Sequence, residues 1–212
     1  MTEASVDFRS VAGGRNLFVL TAAPGDESLL CGGLIAEACA RGRPPFLAVL
    51  TDGSSIAIPG LQGSSPDNIA ARHARETMRA AAILGIPNEW RVVLGLLDGT
   101  VPTFGARFEA LVDALAMITW RRDCYVAVVP WAADRRPDYV ACHAIGVALA
   151  KTHDLDLVTY RTSNAAHGMN SALRLNPTPA LARRAAALTM HPHITADFDE
   201  GYCPQHLAGP VI

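Results

Sequence analysis

Three runs of this chain are apolar and β-prone almost without interruption: NLFVLTAA from Asn16, PFLAVL from Pro45 and CYVAVV from Cys124. None alternates apolar with polar residues, as a strand with one wet face does, so each reads as a strand buried on both sides. Each leads into a turn signal: Pro24-Gly25, Asp52-Gly53 and Pro130-Trp131. Helical segments follow. One is opened by Asp26, Glu27 and Ser28 and stopped by Gly42; a second is capped by Asp67 or Asn68 and runs to Leu84. Others are expected over 106–120, from Pro137 and Asp138 to about Lys151, and around 179–190, with further strands near 91–94 and 155–160. Doubly buried strands separated by helices predict an α/β fold: a Rossmann-like, doubly wound, mainly parallel sheet in three layers. A length of 212 residues suits one domain, with a core over about 16–194 and an irregular tail over about 195–212.

Composition narrows the function classes. Half of the residues are hydrophobic and 18% are charged, which excludes a disordered chain. No run approaches the roughly 18 to 20 apolar residues of a membrane span, and the first ten residues are polar, so no membrane partner and a cytoplasmic address are expected. A net charge of −2 gives no broad attraction for nucleic acid. Five cysteines without a CxxC pair argue against a disulfide framework and a structural zinc knuckle, and for free buried thiols. Cys142 and His143 point about 100° apart on a helix and do not form a nucleophile pair. The first turn lacks GxGxxG, and Gly13-Gly14 precedes the strand, which removes a dinucleotide site.

In a doubly wound sheet ligands sit beyond the carboxyl ends of the strands. The polar tips 24–27, 52–55, 97–99 and 130–139 are therefore expected to converge on one small-molecule site. His73, His153, His167 and His193 show no ligand spacing, and Trp90, Trp120 and Trp131 read as core or pocket walls.

The tips follow one another in the order of a known pattern. Ala22-Ala23-Pro24-Gly25-Asp26-Glu27 with Cys31-Gly32-Gly33, Thr51-Asp52-Gly53, His73-Ala74-Arg75-Glu76, Leu94-Gly95-Leu96-Leu97-Asp98-Gly99, Arg136-Pro137-Asp138-Tyr139, and Arg183-Arg184-Ala185 with His191 resemble six signatures of the LmbE-like (PIG-L) deacetylases. The first of these reads Ala-His-Pro-Asp-Asp-Glu in that family and the fifth His-Pro-Asp-His. The resemblance spans about 16–194 and implies the family's fold. It also implies a zinc site in which two histidines and an aspartate hold the metal, a second aspartate acts as base, and another histidine supports the oxyanion. Such open coordination suits a catalytic zinc.

Carried onto this chain, the resemblance leaves Asp26 as the one retained ligand position. Ala23 has nothing to donate, Tyr139 is a phenol with an ordinary pKa of about 10, and Gly25 stands where the base would be. Arg136 brings a fixed charge that repels a cation and suits an anion. His143, one turn after Tyr139, would lie about 5 to 6 Å from the old ligand position, against zinc–nitrogen bonds of about 2.0 to 2.1 Å. No cofactor is expected, with zinc held through altered ligands as the alternative. Asp26, His143, Arg136 and Asp138 are the candidate catalytic residues, with Asp26 pairing Arg136. Ser54, Arg75, Asp98, Trp131 and Tyr139 are the candidate substrate contacts. Structural readings stand beside these: Glu27 as a first-turn acid, Asp138 as a helix cap, and Arg75 and Asp98 as salt-bridge partners. Three functions compete: a metal-independent enzyme on a small molecule, a noncatalytic binding or scaffold protein that uses the old cleft or forms a homo-oligomer, and a zinc deacetylase with altered ligands.

Overall fold

The computed structural model describes residues 5–6, 8–56, 63–160, 173–175, 180–191 and 206–208. The buried runs become β2 (Asn16–Thr21), β3 (Phe46–Thr51) and β5 (Cys124–Pro130), after a short β1 (Ser5–Val6) and α1 (Phe8–Ala12). β4 (Arg91–Leu96) and β6 (Asp156–Tyr160) complete a parallel block in the order β4-β3-β2-β5-β6. Leu17, Phe18, Val19 and Leu20 of β2 and Val126 to Val129 of β5 are all buried, as strands covered on both faces must be.

The helices cover the two faces. α3 (Gly32–Ala40), α4 (Pro66–Leu84) and α7 (Ala180–Leu188) pack together, and α5 (Ala106–Arg121) packs with α6 (Pro137–His153). β2 leads outward through β3 to β4, and the chain then returns to β5 on the other side of β2. The strand order therefore reverses between β2 and β5, the place where such sheets form a crevice. α6 lies close on β5: a Cβ on Gly146 would meet Val129 Cγ1 at 2.5 Å. No helix among the described residues is long and apolar enough to cross a membrane.

Several boundaries differ from expectation. The segment opened by Asp26 is two helices, a four-residue α2 (Asp26–Leu29) and α3, separated by Leu30 and Cys31. α4 is capped by Ser65, whose hydroxyl accepts the Asn68 N–H, rather than by Asp67 or Asn68; Pro66 fits the first helical turn because its missing N–H needs no partner there. The tail includes a strand, β8 (His206–Ala208), paired antiparallel to β6 and to β7 (Leu173–Leu175), while β1 lies parallel to β7. Strands of two or three residues carry no readable periodicity; an open sheet edge recruits them. Trp120 is 72% exposed and belongs to a pocket wall rather than to the core, with Asp123, Tyr125 and His153, at the opposite end of the sheet from the polar tips. His167, His193 and Cys203 lie outside the described residues.

Candidate functional site

β2 delivers Ala23 to the carboxyl end of the sheet, and the chain turns at Pro24-Gly25 into α2. Gly25 sits at φ 94°, in the left-handed region where a side chain costs about 1 to 2 kcal/mol, so this tight turn favours glycine. The turn folds the Asp26 carboxyl back so that Oδ2 accepts the Ala23 N–H at 3.2 Å. Across the crevice, the first turn of α6 brings in Tyr139, whose hydroxyl donates to Asp26 Oδ1 at 2.8 Å. Both side chains are buried. Asp26 is thereby pushed up from 3.8 to about 7: burial raises it, and the Tyr139 hydroxyl, the Arg136 charge and the Ala23 N–H only partly offset that. Tyr139 is held well above its ordinary value by burial and by the neighbouring Asp26 carboxyl.

Arg136 does not form the expected ion pair with Asp26. Its Nε and Nη2 reach Asp134 Oδ1 and Oδ2 at 3.1 and 2.8 Å, and its guanidinium carbon stacks 3.2 Å from the centre of the Tyr139 ring. Asp134 also accepts the Arg136 backbone N–H at 2.9 Å. A two-residue Asp turn therefore folds the arginine onto its own neighbour before α6 begins, and Asp26 feels only its field. Burial works against the Arg136 charge, but Asp134 overcomes it and holds the guanidinium protonated.

Asp138 is not the cap of α6: residue 136 occupies that position, without a side-chain cap. The Asp138 carboxylate instead accepts the N–H groups of Gly99, at 2.6 Å, and Val101, at 3.2 Å, tying α6 to the loop after β4. That loop is tied in turn to the tip of β3. Asp52 Oδ1 accepts the N–H groups of Ser54 and Asp98, at 2.9 and 3.1 Å, and the Asp98 carboxylate accepts the Ser55 hydroxyl. His143 places Nδ1 2.8 Å from the Pro130 carbonyl, an acceptor only, so Nδ1 carries the proton and Nε2 is the basic nitrogen.

The structure thus gathers Asp26, Tyr139 and Arg136 at the carboxyl ends of β2 and β5, with Asp138, Asp98 and Ser54 tied together through the loops after β3 and β4, and His143 one turn further along α6. Arg75 is exposed and turns its Nε back to the Ala71 carbonyl of its own helix. Trp131, half-buried, extends the β5 ladder through its N–H to the Tyr160 carbonyl. Among the described residues no three His, Cys, Asp or Glu side chains gather as a metal-holding group.

Glu27 is more than a first-turn acid. It is fully buried, with Oε2 accepting the Gly25 N–H and Oε1 facing the Ser28 hydroxyl and His191 Nε2, the last at 2.8 Å. Asp134 was not singled out in the sequence, although its Asp134-x-Arg136 spacing was readable. Arg184, His191 and Glu27 stand in signature segments, but the contacts of Arg184 with α2 and of His191 with Glu27 were not foreseen.

Residues 18–150 match the family described as PIG-L, GlcNAc-PI de-N-acetylase. Among solved structures, the chain is similar to the conserved protein TT1542 from Thermus thermophilus, at 23% identity and TM-score 0.64 over 86% of this chain and 81% of that one. It is also similar to the N,N'-diacetylchitobiose deacetylase of Pyrococcus horikoshii (15%, TM-score 0.67, 92% and 75%) and to GalB, the 4-carboxy-2-hydroxymuconate hydratase of Pseudomonas putida KT2440 (13%, TM-score 0.65, 92% and 94%). At these identities the likeness is one of fold. No curated protein matches the chain. With a match that spans more than half of its length and carries the first five signature segments, the chain belongs to the PIG-L (LmbE-like) family.

Proposed function

We propose that this chain is a metal-independent member of the PIG-L family, an enzyme that moves a proton on a small molecule bound at the crevice between β2 and β5. The observation that carries the reading is the hydrogen bond between Asp26 and Tyr139. These residues occupy two of the three positions at which the resemblance places zinc ligands, and they are spent on each other. The third such position is Ala23, which offers only backbone.

The donor chemistry does not fit zinc of the inherited kind. A metal would have to take a proton from a buried phenol already held above its ordinary value, and to sit beside the Arg136 guanidinium. No step is therefore routed through a metal. The same features suit acid–base work. A carboxyl poised at about 7 is present in both protonation states near neutrality, which is the condition for efficient proton transfer, worth about 10² to 10⁴ in rate. Arg136 supplies a fixed cation to orient an anionic or strongly polar group of the substrate. The substrate class is a small metabolite of the amino-sugar or N-acyl type, the chemistry named for the Pyrococcus deacetylase.

The test is turnover on a panel of N-acyl amino sugars and related N-acyl metabolites, before and after exhaustive chelation and with zinc content measured in parallel. Chelator-insensitive activity that disappears in Asp26→Asn is expected. Stoichiometric zinc with chelator-sensitive activity overturns the reading in favour of a zinc deacetylase. Binding without turnover overturns it in favour of a noncatalytic protein.

A further inference from the structure

A helix of four residues has almost no stability of its own, because nucleation fixes several residues before any hydrogen bond is gained. α2, which carries Asp26, is such a helix, and α7 grips it from behind. Arg184 on α7 sends Nε to the Ser28 carbonyl at 3.3 Å and Nη2 to the Leu29 carbonyl at 2.9 Å. His191, just beyond α7, places Nε2 2.8 Å from Glu27 Oε1, with both side chains fully buried, and its Nδ1 lies 3.8 Å from Glu76 on α4. The other Glu27 oxygen accepts the Gly25 N–H, so the backbone is held on both sides of Asp26. Gly32 leaves room for this arrangement, since a Cβ there would lie 2.9 Å from Arg184 Cγ.

We propose that Arg184 and His191 are positioning residues for Asp26, fixing α2 so that its first carboxyl meets the Tyr139 hydroxyl. The proposal rests on the reading of Asp26 and Tyr139 as the working pair of the site. Arg184 and Ser28 stand 156 positions apart in sequence. The C-terminal segment thus sets the geometry of the N-terminal signature.

The test follows the Tyr139 Cζ resonance in protein labelled with 13C-tyrosine, identified by its loss in Tyr139→Phe. Asp26→Asn gives the position of the signal when the carboxylate partner is removed. Arg184→Leu removes both carbonyl contacts, Arg184→Lys keeps the cation, and Gly32→Ala displaces Arg184 from below without changing charge. The Tyr139 signal is expected to move most of the way to its Asp26→Asn position in Arg184→Leu and Gly32→Ala, and to return part of the way in Arg184→Lys. A merely structural Arg184 would lower Tm and leave that signal in place. An unmoved signal in folded Gly32→Ala and Arg184→Lys, with or without a folded Arg184→Leu, overturns the positioning role. A Tyr139 signal that ignores Asp26→Asn overturns both this proposal and the reading of the site.

Discussion

The Tyr139 hydroxyl donates to the Asp26 carboxyl across 2.8 Å, joining the first turn of α6 to the tip of β2 over 113 residues of sequence. Tyr139→Phe keeps the ring under Arg136 and removes only this bond. The loss is expected to be about 1.5 to 3 kcal/mol of stability at pH 8, where the acceptor is charged, and about 0.5 to 1.5 at pH 5, where it is neutral. Urea unfolding of both proteins at the two pH values measures it.

Asp26 gives the pH dependence its sign. Its folded pKa, about 7, lies above its ordinary value of 3.8, so the folded state binds the proton more tightly. Its stabilising effect is complete below about pH 4 and is lost as pH rises towards 7. Asp26→Asn, which stays neutral, is expected to gain on the wild type across that window, by roughly 4 kcal/mol at most. Equal pH profiles for the two proteins would show that the carboxyl does not titrate in this range.

The Glu27–His191 pair is closed to solvent. Burial opposes the imidazolium, and the Glu27 carboxylate overcomes that and raises its pKa above 6.5. Its contribution is full below about pH 6.5 and fades as pH rises through the folded value. His191→Ala strands a buried carboxylate and is expected to cost about 3 to 5 kcal/mol. His191→Gln, which retains an N–H donor, should recover part of this in thermal unfolding.

Asp138 is expected to matter through the loop after β4. Asp138→Ala leaves the Gly99 and Val101 N–H groups without their acceptor, at about 1 to 3 kcal/mol. Hydrogen exchange over 97–101 should accelerate while the β5 amides stay protected. Asp138→Asn offers one oxygen for two donors and is expected to fall between.

The metal-independent reading predicts that added donors create metal affinity. Ala23→His with Tyr139→His places two imidazoles beside Asp26, and Arg136→Leu removes the neighbouring guanidinium charge. Calorimetry is expected to detect zinc in that triple variant and none in the parent. Adding Gly25→Asp carries a backbone cost of about 1 to 2 kcal/mol, because residue 25 sits at φ 94°.

The chain order of buried runs and turn signals determined the parallel block, the crevice at its carboxyl ends and the residues that could enter it, because those signals are local: strands covered on both faces must be apolar, and turns need glycine and proline. The motif segments likewise pointed to the family, which the match over residues 18–150 shows, and placed Ala23 and Tyr139 where the resemblance puts histidines. Tertiary structure alone decided how the polar groups are spent. Arg136 turns to Asp134 two residues away rather than to Asp26, Asp138 serves a loop instead of its own helix, and Glu27 finds His191 164 residues later. A carboxylate's partner depends on which elements the fold brings within about 3 Å of it and on how much water is excluded there, and neither quantity is written in any single segment of sequence.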